Sequence, residues 1–234
     1  VATLLSALVA QARKHLNEPT ASFWTDQEIA DHMNMAIKDL WRALNDNYQD
    51  FFLTNDATNV SQAASATTLS GVPADVAIVR GLEPRDLQTY GGIKYEALNY
   101  MHPRFQAARS ESAVDPLQGG KIYFWITGAG APIAAPTIYV APALSTALPL
   151  RLVYVPTLSA VALAGANPIP GESDQALIAW AVAHSLAKRK ESQVPDGDWL
   201  TIYSTEKAHI LTSLTPRQTQ DEEVAEALFE AWWQ

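Results

Sequence analysis

No cysteine occurs in the 234 residues, which removes disulfides, Cys-ligated zinc and thiol catalysis together. Charge is scarce as well: 18% of the chain is Asp, Glu, Lys or Arg, below the roughly 25% of an average soluble domain. Bases are the scarcer sign, 16 against 25 acids, for a net charge of −9. A protein whose main task is gripping nucleic acid needs a basic stripe, and this balance argues against one. No basic run precedes a signal-type hydrophobic stretch, so no targeting segment is expected. A membrane span is not expected either. The longest uncharged stretch, Ile122 to Leu150, contains Pro132, Pro136, Pro142 and Pro149 with Gly128 and Gly130. A lipid-exposed helix could not keep its backbone bonded through so many breaks. What is present is a 48% hydrophobic chain, too apolar for disorder and long enough for one large domain or two small ones.

The helix breakers are also missing from the ends. Eleven of the 14 prolines fall between Pro73 and Pro170, and ten of the 11 glycines between Gly71 and Gly171. That distribution predicts helical ends around a strand-and-turn centre, an α+β chain. At the start, Leu4, Leu5, Leu8, Val9, Ala12 and Leu16 recur at helical spacing until Asn17-Glu18-Pro19 stops them. Thr25 then caps a second helix, with Glu28 placed to complete a capping box. Ile29, Met33, Ile37, Leu40, Trp41, Leu44 and Tyr48 line one face of it.

The centre reads as short strands. Asn55 to Ser70 is strand and loop, and Val76 to Leu82 a strand. Tyr95 to Arg109 permits a short helix interrupted around Pro103. Lys121–Thr127, Pro136–Val140 and Leu150–Val155 are β-branched and aromatic runs bounded by Gly and Pro, expected as three antiparallel strands. Ser173 is the expected cap of a returning helix, with Ala176, Leu177, Trp180, Ala183, His184 and Ala187 on one face. Lys188-Arg189-Lys190 suit its C-terminal dipole. After a turn at Pro195-Asp196-Gly197-Asp198, a last amphipathic helix carries Trp199, Ile202, Tyr203, Glu206, Ile210 and Leu214 and stops at Pro216.

An enzyme needs polar groups that converge, and each candidate set has a plainer reading. Glu28, Asp31 and His32 have metal-compatible spacing but read better as a solvated helix edge. His184 and Ser185 are adjacent, and consecutive helical residues point about 100° apart, so they cannot work as a pair; His184 reads as a half-buried structural histidine. Gly128-Ala129-Gly130 lacks the third glycine and the following helix of a dinucleotide loop. Asp196 and Asp198 flank a glycine as ordinary turn chemistry. No catalytic residue, metal ligand or cofactor is assigned. Trp125, Tyr123, Tyr139 and Tyr154 could stack on sugars or bases, but are expected to fill a small β core.

The last segment, Arg217 to Gln234, carries five acids against one base and ends on large apolar side chains. Leu228, Phe229, Trp232 and Trp233 would expose a patch that monomers avoid, and Trp is a favoured interface anchor. A partner is the favoured explanation, with the acids keeping the free segment in solution.

The order of these pieces resembles the head-to-tail adaptor, or connector, proteins of tailed bacteriophages. Phe23-Trp24-Thr25-Asp26-Gln27-Glu28-Ile29 leading into Asn34-Met35-Ala36 is similar to the family's helix start. Val72-Pro73-Ala74-Asp75 and Leu152-Val153-Tyr154-Val155-Pro156 are similar to two of its strand motifs. Ala176 to Leu186 is like its returning helix, and Trp199-Leu200-Thr201-Ile202-Tyr203 like the helix that follows. The resemblance covers about residues 4 to 214. Val72 stands where leucine is usual, and the Gly/Pro-rich stretch from Asp115 to Pro136 is a departure that touches tail-side contacts.

The resemblance implies an α+β fold: N- and C-terminal helices forming one bundle, an inserted antiparallel β domain, and an extended C-terminal tail. The implied division is 1–54 and 173–215 for the bundle, 55–172 for the insertion and 216–234 for the tail. Trp24, Ile29, Met33, Ile37, Leu40, Trp41, Leu44, Trp180, Trp199 and Tyr203 would form the bundle core. The implied role is a structural virion protein, not an enzyme, made in the bacterial host cytoplasm and sited at the head–tail junction. It would form a homo-oligomeric ring, usually of twelve copies, between the portal protein and distal tail or nozzle proteins. Leu228, Phe229, Trp232 and Trp233 would meet the portal. The ring would enclose the DNA channel, where an acidic wall does not bind phosphate. The alternatives are a neighbouring stopper or tail-completion ring protein, a glycan-binding β module using Trp125, Tyr123 and Tyr139, and a hydrolase around His184 or Glu28 and His32. Within the charge deficit, only Lys121 and Arg151 are charged between Leu117 and Gly171, a density expected where neighbours cover the surface.

Overall fold

A computed structural model describes residues 3–46, 52–56, 59–97, 113, 115–127, 136–169 and 171–214. Two compact units divide the chain: Phe52–Thr157 is one, and the residues on either side form the other. The fold is α+β, with a β unit inserted into a helical one.

The helical unit begins with α1, Leu5–His15, whose buried side chains Leu5, Leu8, Val9 and Ala12 repeat at the predicted spacing. Asn17 ends it with φ of +55°, a left-handed conformation that asparagine tolerates. Helix α2, Asp26–Asp46, opens on the predicted capping box. The Glu28 N–H donates to Thr25 Oγ1 at 3.1 Å, and the Thr25 N–H donates to Glu28 Oε2 at 3.3 Å. Arg13, 4% exposed, ties the two helices. Its Nε donates to Asp26 Oδ1 at 2.7 Å and its Nη2 to the Trp24 carbonyl at 2.7 Å.

After the insertion, an uncharged strap, Leu158–Ile169, returns along these helices. The Leu5 N–H donates to the Gly165 carbonyl and the Ser6 N–H to the Leu163 carbonyl, both at 2.9 Å. The strap therefore satisfies amides that α1 leaves orphaned at its start. The unit closes with two more helices, Asp174–Arg189 and Gly197–Ser213, called α4 and α5 here because a one-turn helix in the β unit precedes them.

Helix α4 packs against α1, α2 and α5 and is buried nearly all round, not along one face. Ala176, Ile178, Ala179, Ala181, Val182 and Ser185 are all buried; alanines on several faces let three neighbours approach. Ser173 precedes α4 but makes no side-chain cap bond. Its Oγ instead accepts from Asn167 Nδ2 at 2.9 Å. The predicted turn at 195–198 is a helix start, with Asp196 as N-cap accepting from the Trp199 N–H at 3.4 Å.

In the β unit, β1 (Thr54–Asp56), β2 (Ser61–Gln62), β3 (Leu69–Ser70), β4 (Val76–Pro84) and β8 (Leu148–Pro156) form one sheet. Strand β8 is its axis, antiparallel to β1 and β2 along one edge and to β4 along the other. The turn after β3 requires Gly71, at φ +71°, where a Cβ would sit 2.0 Å from the Asn59 carbonyl oxygen. A one-turn helix α3, Leu87–Tyr90, capped by Asp86, leads to the second sheet. There β6 (Gly120–Thr127) lies between β5 (Ile93–Ala97) and β7 (Thr137–Ala141).

Three expectations change here. Tyr95–Ala97 is strand, not the start of a helix, because Ile93 and Tyr95 alternate inward beside β6. The remainder of that predicted helix, from 98 to 109, lies outside the described residues. The strand at 148–156 pairs in the other sheet from β6 and β7. Among the described residues the strand pairs of the insertion are antiparallel except for β5 with β6, which is parallel. Both sheets share a core that includes Val60, Ile93, Ile122, Phe124, Ile138, Val140, Leu148, Leu150 and Leu152.

Candidate functional site

The expected chemical sites are taken up by structure. Glu28 completes the capping box and pairs with Lys188 Nζ at 2.5 Å; the Lys188 hydrogen bond foremost holds its carboxyl below the ordinary value, against the opposing effect of burial. Asp31 accepts from Gln27 Nε2 at 2.8 Å. His32 stacks on His184, ring centroids 5.4 Å apart. Among the described residues no three His, Asp or Glu side chains converge as metal ligands. His184 is half-buried between His32 and Trp180, while the Ser185 hydroxyl is buried without a partner, so the two form no nucleophile–base pair. Asp196 caps α5 and pairs with Lys190 at 2.7 Å. Gly128-Ala129-Gly130 lies outside the described residues.

Of the expected bundle residues, Trp24, Ile29, Met33, Ile37, Leu40, Leu44 and Tyr203 are buried, and Trp41, Trp180 and Trp199 half-buried. Trp24 Nε1 donates to the Ser185 carbonyl at 3.0 Å, joining the α2 start to α4. The Tyr203 hydroxyl donates to Asp39, which also takes Lys207 Nζ at 2.6 Å. Burial pushes Asp39 up, but these two donors outweigh it and hold the carboxyl low. Leu228, Phe229, Trp232 and Trp233 lie outside the described residues.

The aromatic strand residues separate by face. Tyr154 is in the core, with its hydroxyl 3.3 Å from Asp75. Tyr123, Trp125 and Tyr139 do not fill that core. They alternate with buried Ile122, Phe124, Ile138 and Val140 and stand half-buried on the opposite face. Trp125 and Tyr139 are cross-strand partners whose rings stack 5.4 Å apart at 7°. That stack explains the pairing as sheet stabilisation.

The motif asparagine has an unanticipated role. Asn34 holds the strap by two hydrogen bonds: its Nδ2 donates to the Val161 carbonyl at 3.0 Å, and its Oδ1 accepts from the Val161 N–H at 2.8 Å. A side-chain amide thus completes the backbone pairing of an extended residue 127 positions away. Beside this clamp lies a groove of about 220 Å³ lined by Asp31, Asn34, Met35, Lys38, Leu158 and Ala160. Met35 is 51% exposed and Leu4 48%, and Ala160, Ala162, Ala164 and Ala166 are exposed along the uncharged strap. The strap itself carries no charge, and an exposed, uncharged apolar segment is suited to covering by another protein surface.

No helix among the described residues is long and apolar enough to cross a membrane. No curated protein matches the chain. A family model does: residues 3–226 match that of the SU10 adaptor protein. The match spans nearly the whole chain, which therefore belongs to the SU10 adaptor protein family, a family of bacteriophage structural adaptors.

Proposed function

We propose that this SU10 adaptor family member joins head to tail in the virion as one subunit of a homo-oligomeric ring, usually of twelve copies. Its role is structural, with no catalytic step. The ring lies between the portal protein and distal tail or nozzle proteins and encloses the channel through which the genome passes. The single observation that carries this reading beyond the family is the exposed, uncharged strap, with Leu4 and Met35 exposed beside it, which a ring neighbour would cover. The excess of 25 acids over 16 bases suits a wall that DNA passes without binding.

In this reading the segment after Pro216 docks on the portal through Leu228, Phe229, Trp232 and Trp233. A chain lacking residues 217–234 is expected to retain its circular dichroism and thermal transition. It is expected to lose co-sedimentation with the portal protein. Undiminished portal binding by that truncation would remove the tail from the interface.

A further inference from the structure

His32 on α2 and His184 on α4 stack with ring centroids 5.4 Å apart and planes at 27°. Trp180 lies against His184 at 4.6 Å and against Tyr203 of α5 at 4.7 Å. Inside this ring cluster three nitrogens are shielded from solvent and make no hydrogen bond: His32 Nδ1, His184 Nε2 and Trp180 Nε1. A neutral imidazole can leave one nitrogen bare at modest cost, and a stack of two neutral rings suits an apolar seam. An imidazolium cannot. Its added N–H needs an acceptor, and its charge would face a second imidazole across the stack.

We infer that the stacked His32–His184 pair is a proton-sensitive latch: uncharged it closes the α2–α4 seam, and proton uptake loosens the helical unit. The charged groups around it do not cancel this. Glu28 and Asp31 of α2 favour a proton on His32, whereas burial and Lys188 of α4 oppose it, and burial prevails. On His184, burial and then the charge of His32 both oppose protonation. Among the described residues, no charged group of α1 or α5 acts on either ring; α5 supplies Tyr203, through Trp180.

The sign follows. In the unfolded chain an imidazole takes its proton near pH ~6.5, and in the folded seam it takes it lower. The unfolded state therefore binds more protons, and stability is full above about pH 6.5 and falls as pH drops below it. Because the rings touch, the pair takes up its protons in two coupled steps. Glu28 and Asp39 of this unit hold their carboxyls below the ordinary value, so their window lies at more acid pH.

The test is a proton NMR titration of the wild-type imidazole Cε1–H signals, assigned with His32→Gln and His184→Gln, beside thermal unfolding of wild type and the His32→Phe/His184→Phe double variant. The expected result is that His32 and His184 both titrate below about 6.5, and that each single substitution shifts the remaining ring's midpoint. The wild-type midpoint of thermal unfolding falls between about pH 6.5 and 5, and the double variant loses that fall. Independent titration of both rings at the ordinary imidazole value overturns the inference, as does a double variant with the wild-type pH dependence. If the double variant does not fold, the wild-type titration decides alone.

Discussion

The two units are held by different means. Of the buried polar side chains among the described residues, Arg13, Asn45, Asn167, Ser173 and Ser185 belong to the helical unit and Gln62 alone to the β unit. The helical unit is knitted by side chains reaching across elements: Arg13 to Asp26, Asn34 to Val161, Trp24 to Ser185 and Asp39 to Tyr203 and Lys207. The β unit relies on ladder register about β8 and on a core of aliphatic and aromatic side chains. Its ion pairs, Lys121 with Glu96 and Arg151 with Glu83, are part-exposed, and such pairs contribute little. The difference teaches that one chain can carry a unit latched by buried polar side chains and a unit held by strand register and an apolar core.

Leu152→Ala should produce the largest effect. The side chain is fully buried on the central strand, so the loss is about 3 kcal/mol. Hydrogen exchange should show that loss in β1, β4 and β8 while α1, α2 and α4 keep their protection; equal loss in both units would break the comparison. Arg13→Met should follow, at roughly 2 kcal/mol, because it removes charge-assisted bonds to Asp26 and leaves the buried Trp24 carbonyl short of a donor. Denaturant unfolding read at α1 and α2 measures it.

Asn34→Ala removes both bonds to Val161 at about 1–2 kcal/mol. Amide exchange at Val161, Leu163 and Gly165 should accelerate more than anywhere in the β unit. The smallest effect sharpens the electrostatic side. Asp39, held low, gives the helical unit stability that is present above its ordinary value near ~3.9 and is lost as pH falls below it. The thermal midpoint of Asp39→Asn should therefore start lower at pH 7 and fall less on acidification than wild type.

Local chemistry was legible in the sequence and non-local partnership was not. The capping box at Thr25 and Glu28, the stop after Leu16 and the strand after Val76 depend on residues a few positions apart, and all stand as read. Periodicity predicts a one-faced α4 because alanine signals neither surface nor core; its three neighbours define it as central. Both phases of β6 are apolar, which is why the sequence predicts the outward set Tyr123, Trp125 and Tyr139 as core. Period-two alternation could have found it, with Ile122 and Phe124 as the inward phase. The Asn34–Val161 clamp, the His32–His184 stack and the parallel β5–β6 pair join residues distant in sequence, and nothing in a local window marks them.

The central claim, a ring subunit built onto the portal, is tested most directly by electron microscopy of the full chain mixed with its portal protein. The account predicts a closed ring seated on one face of the portal, sharing the portal's rotational symmetry, with the strap of each copy covered by its neighbour. A chain that stays monomeric and leaves portal particles undecorated at saturating concentration would contradict it.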